Sequence, residues 1–147
     1  MVPLTYALQF RGRASGPLSG GTLAELSAPS CVLMTNLLGD GLRGRYQLAA
    51  GGEARLRSEV SGAGDRLRSE GTISFGSGHE LRFRTMETAL IAPSPDPHLR
   101  HAGLVNEVLG GEGQFRGAYG RIVSNVLVSD TGEITDNHLG VVFVDVP

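Results

Sequence analysis

Two carboxylates with apolar neighbours are the side chains best suited to catalysis in this chain. Glu107 shares an alternating face with Val105 and Leu109, and Glu87 continues an alternating apolar face that includes Phe83. A carboxylate held among apolar groups is driven towards its neutral form and can act as a general acid or base. We therefore name Glu87 and Glu107 as candidate catalytic residues. The alternative is that each is a charge at the end of a strand that reaches water.

Aromatic and imidazole side chains supply the candidate groups for binding a substrate. Tyrosine hydroxyls can bind a polar substrate group, although tyrosines in small β-barrels more often serve only in packing. His138 shares an alternating face with Asp136, so the two form a polar pair if that face is interior and an exposed strand start if it is not. The candidate substrate-binding residues are Tyr6, Phe75, Phe83, Tyr119 and His138.

Metal and cofactor chemistry finds little support in the residue spacing. The four histidines are scattered without the spacing of metal ligands, and Cys31 is the single cysteine. The glycine-rich stretch 110–120 has no βαβ pattern around it, so it is not a dinucleotide fingerprint. No nucleophile-elbow motif is present either. We expect a protein that works without a metal ion or an organic cofactor.

Length and charge predict one domain spanning residues 1–147. A net charge of -2 indicates no strong attraction to nucleic acid or to an anionic membrane. The first ten residues lack the pattern of a signal peptide, and no apolar run approaches the length of a membrane span. With one cysteine and no predicted disulfide, a cytoplasmic location is expected.

Alternation and turn residues predict strands along the whole chain. Leu4–Arg13 alternates with period two, 14–21 forms a loop, and 22–27 forms a short strand that Pro29 ends. Ser30–Leu38 is predicted to be a strand buried on both faces. A turn at 39–41 leads to a strand over 42–49, which the glycines at 51 and 52 end.

Charge patterning predicts the register of the middle strands. Strands 55–61 and 66–75 flank a four-residue loop, which would place Glu59 opposite Arg68 and Arg57 opposite Glu70. After a turn at 76–78, a strand over 79–87 would place Glu70 opposite Arg84. We expect these charges to form a solvated outer face, the alternative being a site for an anionic ligand.

The remaining segments complete an all-β domain. The proline-rich segment 91–100 is a loop, either plain surface or a lid, and a strand over 101–109 follows it. The last hairpin pairs 120–129 with 133–146 around a turn at 130–132. About eight to ten short strands without an amphipathic helix predict a single antiparallel barrel of approximately eight strands. Because its last strands are apolar on both faces, we expect a homo-oligomer, either a dimer or a trimer.

The stretch Leu109–Gly120 is interpreted as the bend that closes this barrel. It holds five glycines in twelve residues, with Phe115 and Tyr119 among them. Glycine within a strand pattern marks a bulge, a sharp bend or a close approach of another group. We expect the two rings to pack across the bend.

The sequence Gly110-Gly111-Glu112-Gly113-Gln114-Phe115-Arg116-Gly117-Ala118-Tyr119-Gly120 resembles the matching bend of plant allene oxide cyclases, and in looser form that of dirigent proteins. Phe75-Gly76-Ser77-Gly78-His79 is similar to a turn in the cyclases. The resemblance implies an eight-stranded antiparallel barrel, often trimeric, whose lumen holds a hydrophobic substrate and directs a cyclisation without a cofactor. Ala7 and Gln9 stand where the cyclases carry a catalytic Glu and a water-binding Asn.

Two hypotheses of function follow from these features. The first is a cofactor-independent cyclase or isomerase that acts on a hydrophobic oxygenated small molecule, lipid-like or polyketide-like, held in the barrel lumen. The second is a non-catalytic barrel that binds or orients a small apolar ligand. A lumen with a buried carboxylate facing the ligand favours the first, and a purely apolar lumen favours the second. A lumen filled by Phe75, Phe83 and Phe115 would weaken both and indicate a structural role.

Overall fold

A computed structural model describes residues 1–16 and 21–146 of the chain. Its described part contains nine strands and one turn of 3-10 helix, Gly113–Phe115. The prediction of a loop over 14–21 falls partly outside the described residues. The strands are β1 (Val2–Ser15), β2 (Thr22–Leu38), β3 (Gly41–Ala63), β4 (Arg66–Ser74), β5 (Glu80–Thr85), β6 (Ala89–Pro93), β7 (Leu99–Glu112), β8 (Tyr119–Ser129) and β9 (Glu133–Val144).

Eight of these strands form a closed antiparallel ring. The order around the ring is β3-β2-β1-β9-β8-β7-β5-β4, and pairing between β3 and β4 closes it. The short strand β6 pairs with β4 and β7 beyond the end of β5. The prediction of an all-β, barrel-like fold is confirmed. We call the interior of the ring the lumen.

Strict alternation decides which side chains enter the lumen. β1 and β9 pair continuously from Val2–Val144 to Arg13–Glu133, and their even-numbered residues point inwards. Phe10 and Val142, on these two strands, are fully buried. The same alternation in the other strands completes one core, whose largest fully buried apolar members are Phe10, Ile73, Leu81, Ile122 and Val142.

Glycines at inward positions let neighbouring strands approach closely. Gly71 in β4 pairs with Ser58 in β3, and a Cβ at Gly71 would meet the carbonyl oxygen of Arg57 and lie 2.6 Å from Ser58 Cα. Contacts this short do not occur between real side chains and backbone, so only glycine fits there. This is the close approach that a tightly curled sheet requires.

The hairpin between β3 and β4 differs from the predicted one. Ala63 pairs with Arg66, so the loop is the two residues Gly64 and Asp65, and Gly64 has a φ of +64°. The register is therefore shifted by two residues, and Glu59 lies opposite Glu70 instead of Arg68. Two-residue loops match the twist of a hairpin best, and this preference outweighed the weak charge pairs.

Pairing between β4 and β5 follows the predicted register. Glu70 lies opposite Arg84, and Thr72 lies opposite Arg82. The last hairpin is also confirmed, because β8 and β9 flank residues 130–132. The segment 91–100 was predicted to be a loop, but its start belongs to β6 and its last two residues begin β7.

Ser30–Leu38 is a strand, as predicted, but the prediction that it is buried on both faces is wrong. β2 and β3 continue as a two-stranded hairpin beyond the ring, because β1 pairs with β2 only up to Ser27 and β4 pairs with β3 only from Arg55 onwards. The register shifts between Pro29 and Cys31, so Pro29 produces a bulge and does not end the strand. We call this hairpin, Ser30–Gly52, the arm. Its Leu37 is 81% exposed.

The glycine-rich bend packs one of its two rings as predicted. Gly110, Gly113 and Gly117 all have positive φ, which turns the chain between β7 and β8. Phe115 is buried, and the backbone N–H of Gln114 donates to Nδ1 of His79 across the bend. Tyr119 instead lies on the outside, where its ring stacks on Phe143 at 5.4 Å.

The close approach at Gly71 gives a test of the ring's curvature. We expect Gly71→Ala to lower the free energy of unfolding by about 1–3 kcal/mol, because the added methyl group overpacks the backbone of β3. Gly103→Ala is the matched control, since Gly103 lies within β7 with open space around it, and should change stability by no more than about 0.5 kcal/mol. Urea unfolding measures both. Equal effects of the two substitutions would contradict the close approach.

Candidate functional site

A cluster of polar side chains lies inside the lumen where β8 and β9 face β1. Asp136 and His138 project inwards from β9, two residues apart, and both are buried. Ser124 of β8 pairs directly with His138, and Tyr6 of β1 pairs with Gly140. Period-two alternation places all four side chains on the inner face. We call Tyr6, Ser124, Asp136 and His138 the lumen cluster.

Tyr6 and His138 are joined by a short hydrogen bond. The Tyr6 hydroxyl lies 2.7 Å from Nε2 of His138. Burial, and secondarily the neighbouring Asp136 carboxylate, raises the pKa of Tyr6 far above its ordinary value of 10.0. The phenol therefore keeps its proton and can donate it to Nε2. In that arrangement a neutral His138 ring carries its own proton on Nδ1, the nitrogen nearer Asp136.

Only one of the two carboxylate oxygens of Asp136 has a hydrogen-bond partner among its described neighbours. Ser124 Oγ donates to Asp136 Oδ2 at 3.2 Å. His138 Nδ1 lies 3.8 Å from the same oxygen, within the range of an ion pair but too far for a hydrogen bond. Among the described residues, no hydrogen-bond partner is found for Asp136 Oδ1 or for His138 Nδ1. Buried polar atoms without partners are rare and costly, so this pair calls for a functional explanation.

Asp136 and His138 line a cavity on one side of the cluster. About 70 Å³ of it is open to the centres of water molecules. The cavity therefore has room for several waters or a small ring. Among the described residues of the lining, Asp136 is the one carboxylate and His138 the one imidazole; the rest are small polar groups and apolar walls that include Leu56, Phe83 and Ile134.

Aromatic rings fill the other side of the cluster. Tyr6 packs edge-on against Phe75 at 5.3 Å, and Phe75 packs against Phe115 at 5.1 Å. Phe10 packs against the His138 ring at 5.1 Å. These rings cover one side of His138 and hold its orientation, and the cavity lies on its other side.

Asn106 adds an amide group to the cavity wall. Its side chain is buried, and its Oδ1 lies 2.9 Å from the Thr85 hydroxyl. That hydroxyl accepts from the backbone N–H of Ser69 and lies 3.1 Å from the carbonyl oxygen of Ser69, which ties β4 to β5 at the end of their ladder. The hydroxyl has one proton, which it donates either to Ser69 or to Asn106.

The two carboxylates predicted to be catalytic lie outside the lumen. Glu87 is exposed in the turn after β5, so the expectation that it continues the inner apolar face is wrong. Glu107 is on the outer face of β7 with Val105, as predicted, but that face points away from the lumen. Its carboxylate forms an ion pair with Arg84 at 2.7 Å.

Four of the five predicted binding residues point into the lumen. Tyr6 and His138 are in direct contact, Phe83 lines the cavity, and Phe75 belongs to the aromatic packing. Tyr119 is 56% exposed on the outside, so its predicted place in the lumen is wrong. Sequence reasoning did not identify Ser124 or Asn106, although each follows the alternation of its strand.

Comparisons with known proteins identify no relative. No family model matches the chain, and no curated protein or solved structure matches it significantly. Within residues 1–16 and 21–146, no helix is long and apolar enough to cross a membrane. Across the same ranges, no three His, Cys, Asp or Glu side chains are grouped to hold a metal ion.

The buried phenol makes stability depend on pH in the alkaline range. Unfolded Tyr6 loses its proton above about pH 10, whereas the folded state retains it, so the unfolded state binds fewer protons. Stability is therefore fully present below pH 10 and falls above it, by up to about 1.4 kcal/mol per pH unit for this one group. We expect Tyr6→Phe to flatten this fall, measured by urea unfolding between pH 9 and 11.

Tyr119→Phe is the matched control, because it removes a phenol that is 56% exposed. It should keep the steep alkaline fall of the unmodified protein. An alkaline fall that is as steep in Tyr6→Phe as in Tyr119→Phe would contradict the buried, protonated state of Tyr6.

Proposed function

We propose that this protein is a cofactor-independent isomerase or cyclase that moves a proton within a small, hydrophobic, oxygenated molecule held in the lumen. Asp136 acts as the base, His138 stabilises the oxygen of the substrate, and Tyr6 holds the His138 ring. The observation that carries the proposal is the pair of unpartnered buried atoms, Asp136 Oδ1 and His138 Nδ1, on residues that line an apolar cavity.

The proposed chemistry is removal of a proton next to a carbonyl group. The C–H bond breaks, its proton passes to the Asp136 carboxylate, and the electron pair moves onto the carbonyl oxygen as an enolate. Rotation about the last side-chain bond of Asp136 presents either oxygen to the cavity. The His138 Nδ1–H donates to the enolate oxygen, where a fixed donor in a dry site stabilises developing charge most.

The intermediate can follow two routes, which correspond to the two named reaction types. Return of the proton to a different carbon gives an isomer. Attack of the enolate carbon on a second carbonyl carbon of the same molecule closes a ring: the new C–C bond forms, the C=O π bond breaks, and the oxygen that receives its electron pair takes the proton held by Asp136. The confined cavity favours that attack by holding one conformer. Either route returns Asp136 to its starting state without a cofactor.

Two further observations support the proposal. The Tyr6–His138 bond and the ring of Phe10 fix the imidazole, and a preorganised donor is what such chemistry requires. The resemblance of 110–120 to allene oxide cyclases supports a cyclase in a barrel of that family. The proposed Asp136 replaces, from the last strand, the carboxylate that the resemblance would place at Ala7.

A small unsaturated ketone tests the proposed chemistry. We expect the protein to convert 3-cyclohexenone to its conjugated isomer, followed by the growth of enone absorbance. Asp136→Asn removes the base and should lower turnover at least about 100-fold. His138→Gln, which keeps a donor but loses the imidazole, should also lower it.

Glu107→Gln and Glu87→Gln are the matched controls, because they remove carboxylates outside the lumen and should leave turnover within about twofold of the unmodified protein. Circular dichroism checks that each variant is folded. Unchanged turnover in Asp136→Asn, or an equal loss in Glu107→Gln, would contradict the assignment.

Binding without reaction is the second candidate function, and the small volume of the cavity favours it. Here Asp136 and His138 would only hold the polar group of an apolar ligand. Native mass spectrometry after incubation with a lipophilic extract would detect such a ligand. Retention of a ligand that is released unchanged, together with no ketone turnover, would favour this function over the first.

A further inference from the structure

Asn106 places a further polar group in the cavity beside the lumen cluster. Its side chain is 4% exposed and lines the cavity from β7. The inward residues on either side of it along β7, Leu104 and Val108, are buried and apolar. In the described part of the chain, the Thr85 hydroxyl is the one hydrogen-bond partner found for its amide. An amide has an oxygen and an NH₂ group, so one of the two is left without a protein partner.

The surroundings of Thr85 do not require an amide at position 106. The Thr85 hydroxyl accepts from the backbone N–H of Ser69 at 2.8 Å and lies 3.1 Å from the carbonyl oxygen of Ser69. The hydroxyl can therefore donate and accept with Ser69 alone. An apolar residue of similar size at 106 would continue the apolar inner face of β7, whereas a half-paired buried amide lowers stability. A ligand that pairs with the amide accounts for its presence.

We infer that the molecule held in the lumen carries two oxygens, and that Asn106 is the specificity-determining residue that binds the second one. The first oxygen is the carbonyl that His138 binds, so the inference rests on the proposed function and names its substrate class. That class is a small apolar molecule with a carbonyl group at one end and a hydroxyl or a second carbonyl group at the other.

Both kinds of second oxygen fit, because the amide can present either of its polar groups. When the Thr85 hydroxyl donates to Asn106, the amide NH₂ group is left to donate to a carbonyl oxygen of the ligand. When the hydroxyl donates to Ser69, the amide with its oxygen and nitrogen exchanged donates to Thr85. The amide oxygen is then left to accept from a ligand hydroxyl. A molecule without a second oxygen pairs with neither group.

The spacing of Asn106 and His138 suits such a molecule. Strands β7, β8 and β9 are neighbours in the ring, and Asn106 pairs with Ile122, two residues from Ser124, which pairs with His138. With strands about 4.8 Å apart and a rise of about 3.4 Å per residue, the two Cα atoms lie about 12 Å apart along the wall. Both side chains extend inwards from it, so one substituted six-membered ring can reach both.

Two ketones that differ by one oxygen test the inference through binding alone. Cyclohexanone and 1,4-cyclohexanedione share the same ring, and NMR titration of the full chain gives a dissociation constant for each. We expect the dione to bind at least about fivefold more tightly, which exceeds the advantage of about twofold that two equivalent carbonyl groups give. Without a partner at its far end the dione would bind more weakly, because a buried carbonyl without a hydrogen bond is costly.

Asn106→Leu should remove this preference, because it deletes the amide and leaves Thr85 paired with Ser69. Asn125→Leu is the matched control: it makes the same change on the exposed outer face of β8 and should keep the preference. The comparison of the two ketones in the unmodified protein does not depend on the folding of any variant. Binding of neither ketone, a dione that binds no more tightly than cyclohexanone, or a preference that survives Asn106→Leu would overturn the inference.

The inference and the proposed function fail in different measurements. Turnover of 3-cyclohexenone tests proton removal by Asp136, and that ketone has a single oxygen, so its turnover does not report on Asn106. The preference for the dione tests Asn106 whether or not a reaction follows. A preference that depends on Asn106, together with no ketone turnover, would support the inference within the second candidate function, in which the lumen binds its ligand without reaction.

Discussion

Pairing between the first and last strands is the constraint on which the lumen depends. β1 and β9 pair without interruption from Val2–Val144 to Arg13–Glu133, which joins the two ends of the chain within the ring. Because side chains alternate strictly, this register points Asp136 and His138 inwards and Asn137 outwards, and a slip of one residue would reverse them. Gly140 completes the arrangement: a Cβ there would collide with the Tyr6 ring, so its absence lets that ring lie across the strand and reach His138.

The lumen cluster is energetically expensive for a domain of this size. Asp136 and His138 are both buried, and together they keep two polar atoms without partners. Replacing such a group by apolar residues is often neutral or stabilising in other proteins. Buried polar atoms without partners, in a core that is otherwise well satisfied, are typical of functional positions. Function is the reason that such a group is kept although it lowers stability.

Sequence patterns predicted the fold class and some registers but not the arrangement of the site. Alternation and turn residues located the last hairpin, and charge complementarity located the Glu70–Arg84 pair. Alternation identifies the two faces of a strand but not which of them is interior, which is why Glu107 was a candidate. The arm was assigned to the core because apolar composition alone does not distinguish a buried strand from an exposed one.

Glu107 and Asp136 differ in whether their carboxylates are exposed or buried. Glu107 forms an ion pair with Arg84 on the outer face, where its lone pairs are satisfied and water screens it. Asp136 is the one buried carboxylate among the described residues, and it retains an oxygen without a partner beside a cavity. An exposed carboxylate that already has an ion-pair partner gains little further interaction when a substrate binds. A buried, half-satisfied one gains a partner when a substrate binds, and for this reason we assign the proton chemistry to the last strand.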